Sequence, residues 1–236
     1  MRKRYFINPA LVLMALLPLA TSCELFDLDE NPRSFTAPET YYNTPAQIET
    51  VISGTMSRSY RSWGANYAYN PGFHRHDDQN AGGNLVITMN YASDIWSLHW
   101  ANIKDLNFAI AAMVEGKVEG AAPGQEEQLM GMLKFHRAWN YFQLVRHWGG
   151  LPLLTEADVP NYFVTMPARA TVAQVYELIV ADFTEAIAKL PEDWGELAGR
   201  PARDAARGLL AKAYLTMATA PLNDESNYAR AAAMAR

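Results

Sequence analysis

The chain has 236 residues, a formal net charge of -5 and a pI of about 5.5, with no Lys/Arg cluster beyond Arg2, Lys3 and Arg4. That balance argues against nucleic acid as a partner, because phosphate binding needs a basic stripe. The single cysteine, Cys23, argues against a disulfide scaffold, a thiolate zinc site and a cysteine nucleophile. Half of the residues are apolar, which supplies a core for one domain or two small ones. Six Trp, twelve Tyr and nine Phe either fill that core or offer flat apolar faces to ligands such as sugars.

A basic head, Met1–Arg4, is followed by a mostly apolar run from Tyr5 to Ala20, which has the parts of a signal peptide. Asn8, Pro9 and Pro18 interrupt the run, and it ends at Cys23 rather than in a stop-transfer segment of about 20 apolar residues. The small residues Ala20, Thr21 and Ser22 before Cys23 resemble the lipobox of bacterial lipoproteins, although Ala20 stands where Leu is commonest and Leu19 lies one place further back. Residues 1–22 are therefore expected to be removed, leaving Cys23 as a lipidated N-terminus with palmitate-type acyl chains. Acylation also explains why a protein bound for an oxidising compartment carries one unpaired cysteine. Residues 23–43, acidic at first and then punctuated by Pro32 and Pro38, read as a tether.

The remaining span, 44–236, reads as helical. Thr44 caps a helix in which Pro45 suits the first turn, Gln47 completes a capping box, and Ile48, Val51, Ile52 and Met56 form one apolar face. From Trp63 to Tyr91 the pattern fails, with five glycines and prolines among aromatics, so a long loop is expected, with a short strand at Leu85–Met89. A second helix, capped by Ser93, carries Trp96, Trp100, Ile103, Leu106, Ile110 and Met113 to about Glu115. A third spans Gln125–Trp148 and stops at Gly149-Gly150, after which Leu151–Leu154 is extended. Thr171 and Gln174 open a fourth, which Pro191 closes; an Ala-rich fifth runs over Arg203–Ala218, and a further helix begins near Asn227. The paired helices look tetratricopeptide-like, without a clean 34-residue period.

Five blocks, in order, resemble the SusD/RagB family of outer-membrane nutrient-binding lipoproteins: the Cys23 leader, Tyr41–Pro45, Trp96 through Ile110, Arg137–Arg146 with Trp148-Gly149-Gly150-Leu151-Pro152-Leu153, and the pair Val175–Ile179 with Gly199–Leu215. The resemblance implies a mainly α, tetratricopeptide-like superhelical body with long irregular loops. It further implies no enzymatic activity, no cofactor, and a lipid anchor facing outward on the outer membrane. The implied partners are a SusC-like TonB-dependent transporter and an oligosaccharide or other nutrient. Family members run to roughly twice this length, so 44–236 is expected to be the N-terminal helical domain, incomplete at its C-terminus.

Sugar binding needs an aromatic platform beside polar groups, and Trp63, Tyr67, Tyr69, Asp77, Asn80 and Trp96 are the candidates. Packing is the competing role for these aromatics, and the stronger one for Trp100. His74, His76, Asp77 and Asp78 have metal-ligand chemistry, but Arg75 is a poor neighbour for a cation. Asp77, Asp78 and Asp94 leave a glycoside hydrolase as an alternative, since that mechanism needs two carboxylates at a set separation. A structural or adhesive surface protein without a small ligand is the other. Arg137 and Arg146 are expected to be structural ion-pair partners.

Overall fold

A computed structural model describes residues 41–64, 89–164, 167–197 and 199–236, with side chains described at 41–60 and, within those ranges, from 95 onward. Residues 1–40, which hold the expected signal peptide, Cys23 and most of the expected tether, lie outside the described residues.

Helix α1, Pro45–Gly64, starts as its sequence requires. The Gln47 amide oxygen accepts from the backbone N–H groups of Asn43 and Thr44 at 2.8 and 3.0 Å, while Thr44 Oγ1 accepts from Gln47 N–H at 3.4 Å. Two otherwise orphaned donors of the first turn are thereby satisfied. Helix α2 runs Met89–Val114. It begins four residues before the expected cap, so Ser93 lies inside the helix and Met89 is helical rather than the end of a strand; residues 85–88 lie outside the described ones. Met and Ala, at 89 and 92, are strong helix formers, which lets the helix extend upstream of a serine that would otherwise cap it.

Helix α3, Gln125–Trp148, is the axis of the bundle: α1, α2, α4 (Val172–Lys189) and α5 (Arg203–Met217) all pack on it. Every residue from Gly131 to Ala138 is buried as a result, so the helix has no continuous polar face. Gly131 is needed for this closeness, because a Cβ there would lie 3.1 Å from Leu190 and Lys189 at the end of α4. Helix α4 opens on the expected capping box, with Thr171 N–H donating to Gln174 Oε1 at 2.9 Å and Gln174 N–H to Thr171 Oγ1 at 3.3 Å. Ala206, Leu210 and Ala213 of α5 are buried, and α6, Asn227–Met234, packs on α5. Successive helices pair in this way throughout. The described residues contain no strand, only a single antiparallel bridge between Pro152 and Arg169.

That bridge explains the Gly-Gly-Leu-Pro exit of α3. Gly149 ends the helix at φ 72°, a conformation L side chains rarely adopt, and its N–H bonds Val145 O at 2.9 Å. Gly150 answers a different need: a Cβ there would sit 2.2 Å from Ala170 O. Arg169 donates to the carbonyls of Trp148 and Gly150, placing a cation at the negative end of α3.

Buried polar groups fix the register of the bundle. Arg137, 1 % exposed, donates to both carboxylate oxygens of Asp182 on α4 at 2.7 and 2.8 Å, to Asn107 Oδ1 on α2 at 2.9 Å, and to Glu156. Burial by itself would lower the guanidinium pKa; the charges and hydrogen bonds of Asp182 and Glu156 outweigh it and hold the pKa above its ordinary value. Glu156 answers in kind. Burial pushes its pKa up, but Arg137 dominates and brings it down to about 2. Lys134 Nζ lies 3.1 Å from Glu156 and 3.6 Å from Asp182, balancing the charge. The expectation for Arg137 is therefore met.

For Arg146 the structure corrects it. Its guanidinium lies 4.6 Å from the Phe142 ring centroid and bonds Gln143 Oε1 and Phe142 O, with no ion pair among the described residues. Arg146 sits in the exposed last turn of α3, where no carboxylate from α2 or α4 comes across to meet it.

Candidate functional site

Trp96 is the one sequence-predicted ligand residue whose side chain the structure describes. Trp63 lies in the last turn of α1, but its side chain, like Tyr67, Tyr69, Asp77 and Asn80, falls outside the described residues. So do His74, His76, Asp78 and the side chain of Asp94.

On α2 the spacing of Trp96, His99 and Trp100 puts all three on one side of the helix. Ile95 and His99 are buried, and Trp96 and Trp100 remain half-buried. The last residue of α3, Trp148, completes a corner: its ring centroid is 5.3 Å from that of Trp96 at 73°, and the Trp96–Trp100 separation is 5.5 Å at 57°. Behind them Tyr141 meets Trp100 edge-on at 5.9 Å. Three indoles thus meet with their quadrupoles in favourable tilted or edge-to-face arrangements, giving an apolar surface that resists rearrangement.

Polar groups support the corner from below. His99 Nδ1 is 2.8 Å from Asn140 Oδ1, which also accepts from Asn102 Nδ2 at 3.1 Å; an acceptor at that oxygen makes Nδ1 the protonated nitrogen. Burial pushes the His99 pKa down to about 4, so the ring is neutral at physiological pH. Asn102 in turn accepts from Arg58 Nη1 at 2.7 Å, and Arg58 Nη2 pairs with Asp105 at 2.7 Å. His147 lies beside Trp148, with 5.3 Å between ring centroids, and its Nδ1 donates to Gln143 O at 2.7 Å. The Trp100 indole N–H is buried with no partner among the described residues.

The corner offers apolar indole faces held in place by buried polar groups that are paired with one another, which is the chemistry of a stacking platform. It contains no nucleophile paired with a free base, and among the described residues no group of three His, Cys, Asp or Glu side chains is placed to hold a metal. No helix among the described residues is long and apolar enough to cross a membrane.

Two grooves were not singled out from the sequence. One, of about 340 Å³, is lined by Tyr42, Phe108, Pro160 and Phe163; Phe163 is 80 % exposed, and Tyr42 stacks on Phe108 at 6.2 Å. Burial, and then the charge of Asp105, pushes the phenols of Tyr42 and Tyr162 up to about 12, so both remain donors. The other, of about 440 Å³, lies at the N-terminal end of α3, against Gln125 and Gln128. Each groove joins segments distant in sequence, which is why neither forms a linear motif.

Residues 29–215 match the model of a SusD-like family described as starch-binding and associating with the outer membrane. A SusD-like protein of Formosa agariphila, P2, is 29 % identical over 91 % of this chain, and the chain spans 43 % of that relative's length. A SusD homologue of Bacteroides thetaiotaomicron superposes with a TM-score of 0.70 at 24 % identity, over 84 % of this chain and 41 % of its own. A structure solved with a xylogluco-oligosaccharide superposes with a TM-score of 0.66 at 20 % identity, over 79 % of this chain and 39 % of its own. At these identities the solved structures establish the fold, which is the helical fold of their family.

Proposed function

The chain belongs to this SusD-like family of carbohydrate-binding, outer-membrane-associated proteins, and from that premise we propose that it is a cell-surface lipoprotein that captures a glycan and delivers it to a SusC-like TonB-dependent transporter. The observation that carries the glycan reading is the corner of Trp96, Trp100 and Trp148, where three half-buried indoles meet over a buried hydrogen-bonded base. Sugars present C–H-rich faces to such rings. The xylogluco-oligosaccharide bound by a structural relative supports an oligosaccharide as the ligand class. In this reading Trp63, Tyr67, Tyr69, Asp77 and Asn80 extend the platform, Cys23 holds the protein to the membrane through its acyl chains, and the protein binds without catalysing a reaction. Two or three acyl chains give stable anchoring where one does not.

Isothermal titration with maltoheptaose and a xyloglucan heptasaccharide tests the binding step. Trp96→Ala is expected to weaken binding of whichever sugar binds by at least about tenfold, or about 1.4 kcal/mol. Unchanged affinity in a variant with wild-type helicity would sink the assignment of the corner. For delivery, the lipidated protein is expected to co-purify with a TonB-dependent barrel from outer membranes. Cells coated with protein that yields neither barrel nor sugar binding would favour the adhesive alternative. Anchoring is tested by alkynyl-palmitate labelling, which Cys23→Ser is expected to abolish.

A further inference from the structure

Around the N-terminus of α3, residues of the loop joining α4 to α5 border, with Glu49 of α1, an open groove of about 440 Å³, within the size range of small-ligand sites. Its aromatic wall is Trp194. The ring's only donor is already committed, Nε1–H to Pro201 O at 2.9 Å, and part of its carbon framework packs against the hydrophobic core, which fixes the indole with its remaining surface lining the groove. Arg200 lies over the same ring, 5.2 Å from the centroid, and its Nη2 is 3.2 Å from Glu49 Oε2. The loop is thus pinned to α1 by an ion pair that joins positions 151 residues apart.

Leu129, Met132 and Leu197 stand in the apolar part of the lining, and Glu49, Asp193, Gln125, Gln128 and Arg200 form its polar part. They supply acceptors and donors in one place, as hydroxyl groups require. Two carboxylates face one guanidinium there, a formal balance of one negative charge, which disfavours phosphate or acidic sugars. A fixed ring, a mixed polar rim and no excess of positive charge fit one ligand class.

We propose that this groove is a second carbohydrate subsite, for a segment of neutral oligosaccharide stacked against Trp194. It shares its ligand class with the proposed function but uses none of the residues of the Trp96 corner. Trp148, in that corner, lies 20 positions along α3 from Gln128, or about 30 Å at 1.5 Å per residue.

The test uses the full chain labelled with 5-fluorotryptophan, whose six tryptophans give separable fluorine resonances. Maltoheptaose and a xyloglucan heptasaccharide are titrated up to about 10 mM, a range that captures millimolar affinities. The resonance lost in Trp194→Phe is expected to shift saturably with at least one sugar. Arg200→Ala is expected to weaken that response by at least about fivefold, while leaving the Trp96 response intact. It also identifies the Trp194 resonance independently, through loss of the guanidinium over the ring. A Trp194 resonance unmoved by both sugars overturns the proposal. If Trp96 alone responds, the groove fails and the corner stands; if Trp194 alone responds, the groove stands and the corner fails; silence at both removes both.

Discussion

Replacing Arg137 with alanine is expected to cost about 3–5 kcal/mol of stability, the range for breaking a buried ion pair by removing one partner. The geometry explains the size. The Asp182 side chain is 3 % exposed and receives two hydrogen bonds from Arg137; without them its nearest cation is Lys134 at 3.6 Å, a distance too long for a good hydrogen bond. Asn107 Oδ1 loses its donor as well. Set against a typical domain stability of about 5–15 kcal/mol, this is about a fifth of the total or more. Asp182→Ala is expected to cost a similar amount, whereas the double variant Arg137→Met with Asp182→Leu is expected to recover most of the loss, because well-packed apolar replacements of buried pairs are often neutral. The measurement is urea unfolding at neutral pH followed by circular dichroism, assembled as a double-mutant cycle. A cost below about 1 kcal/mol for Arg137→Ala, with near-zero coupling to Asp182, would refute the argument that this pair is desolvated and mutually dependent.

Stability should also fall with acidification. His99 and His136 are held near pKa 4 by burial against an ordinary 6.5, so between those values the unfolded chain binds protons that the folded chain does not, and stability rises with pH over that window. Each ring's contribution is at most roughly 3–4 kcal/mol. His136→Phe should flatten the loss of melting temperature between pH 6.5 and 4, and an unchanged slope would discount that ring. Glu156, held near 2 against 4.5, adds a further loss as pH falls from 4.5 toward 2. Gly150→Ala must displace the Ala170 carbonyl and is expected to cost roughly 1–3 kcal/mol, seen as a lower thermal midpoint. Gly54→Ala, where an added Cβ meets nothing within 4 Å, serves as its control.

The helices were legible because their signals are local. Thr44 with Gln47 and Thr171 with Gln174 cap as their spacing implies, and the apolar period of α4 is the face that is buried. What the sequence could not supply was pairing across distance. Arg137 reads as an ion-pair partner, but nothing local points to Asp182, 45 residues away. Arg146 has the same appearance in sequence and a different fate, since the bundle ends before any carboxylate reaches it. The two glycines after α3 look alike as a stop signal, yet only one has a positive φ, and the other is dictated by a neighbour 20 residues on. Trp96 could be picked out as an aromatic candidate, but its juxtaposition with Trp148 arises only when α2 and α3 pack. Trp194 gave a weaker signal still, a tryptophan in a short interhelical loop, because the groups that give it meaning lie on α1 and α3.

The unbroken length of α3 sets a scale for ligands. Its 24 residues span about 36 Å, and packing on several sides leaves no hinge along it. The distance between its two ends therefore behaves as a ruler. With both proposed sites binding sugar, a short oligosaccharide would occupy one end or the other, and its affinity would be that of a single station. A polymer long enough to span the strut would gain from effective concentration at the second contact, so retention would depend on chain length with a threshold, not only on the identity of the sugar.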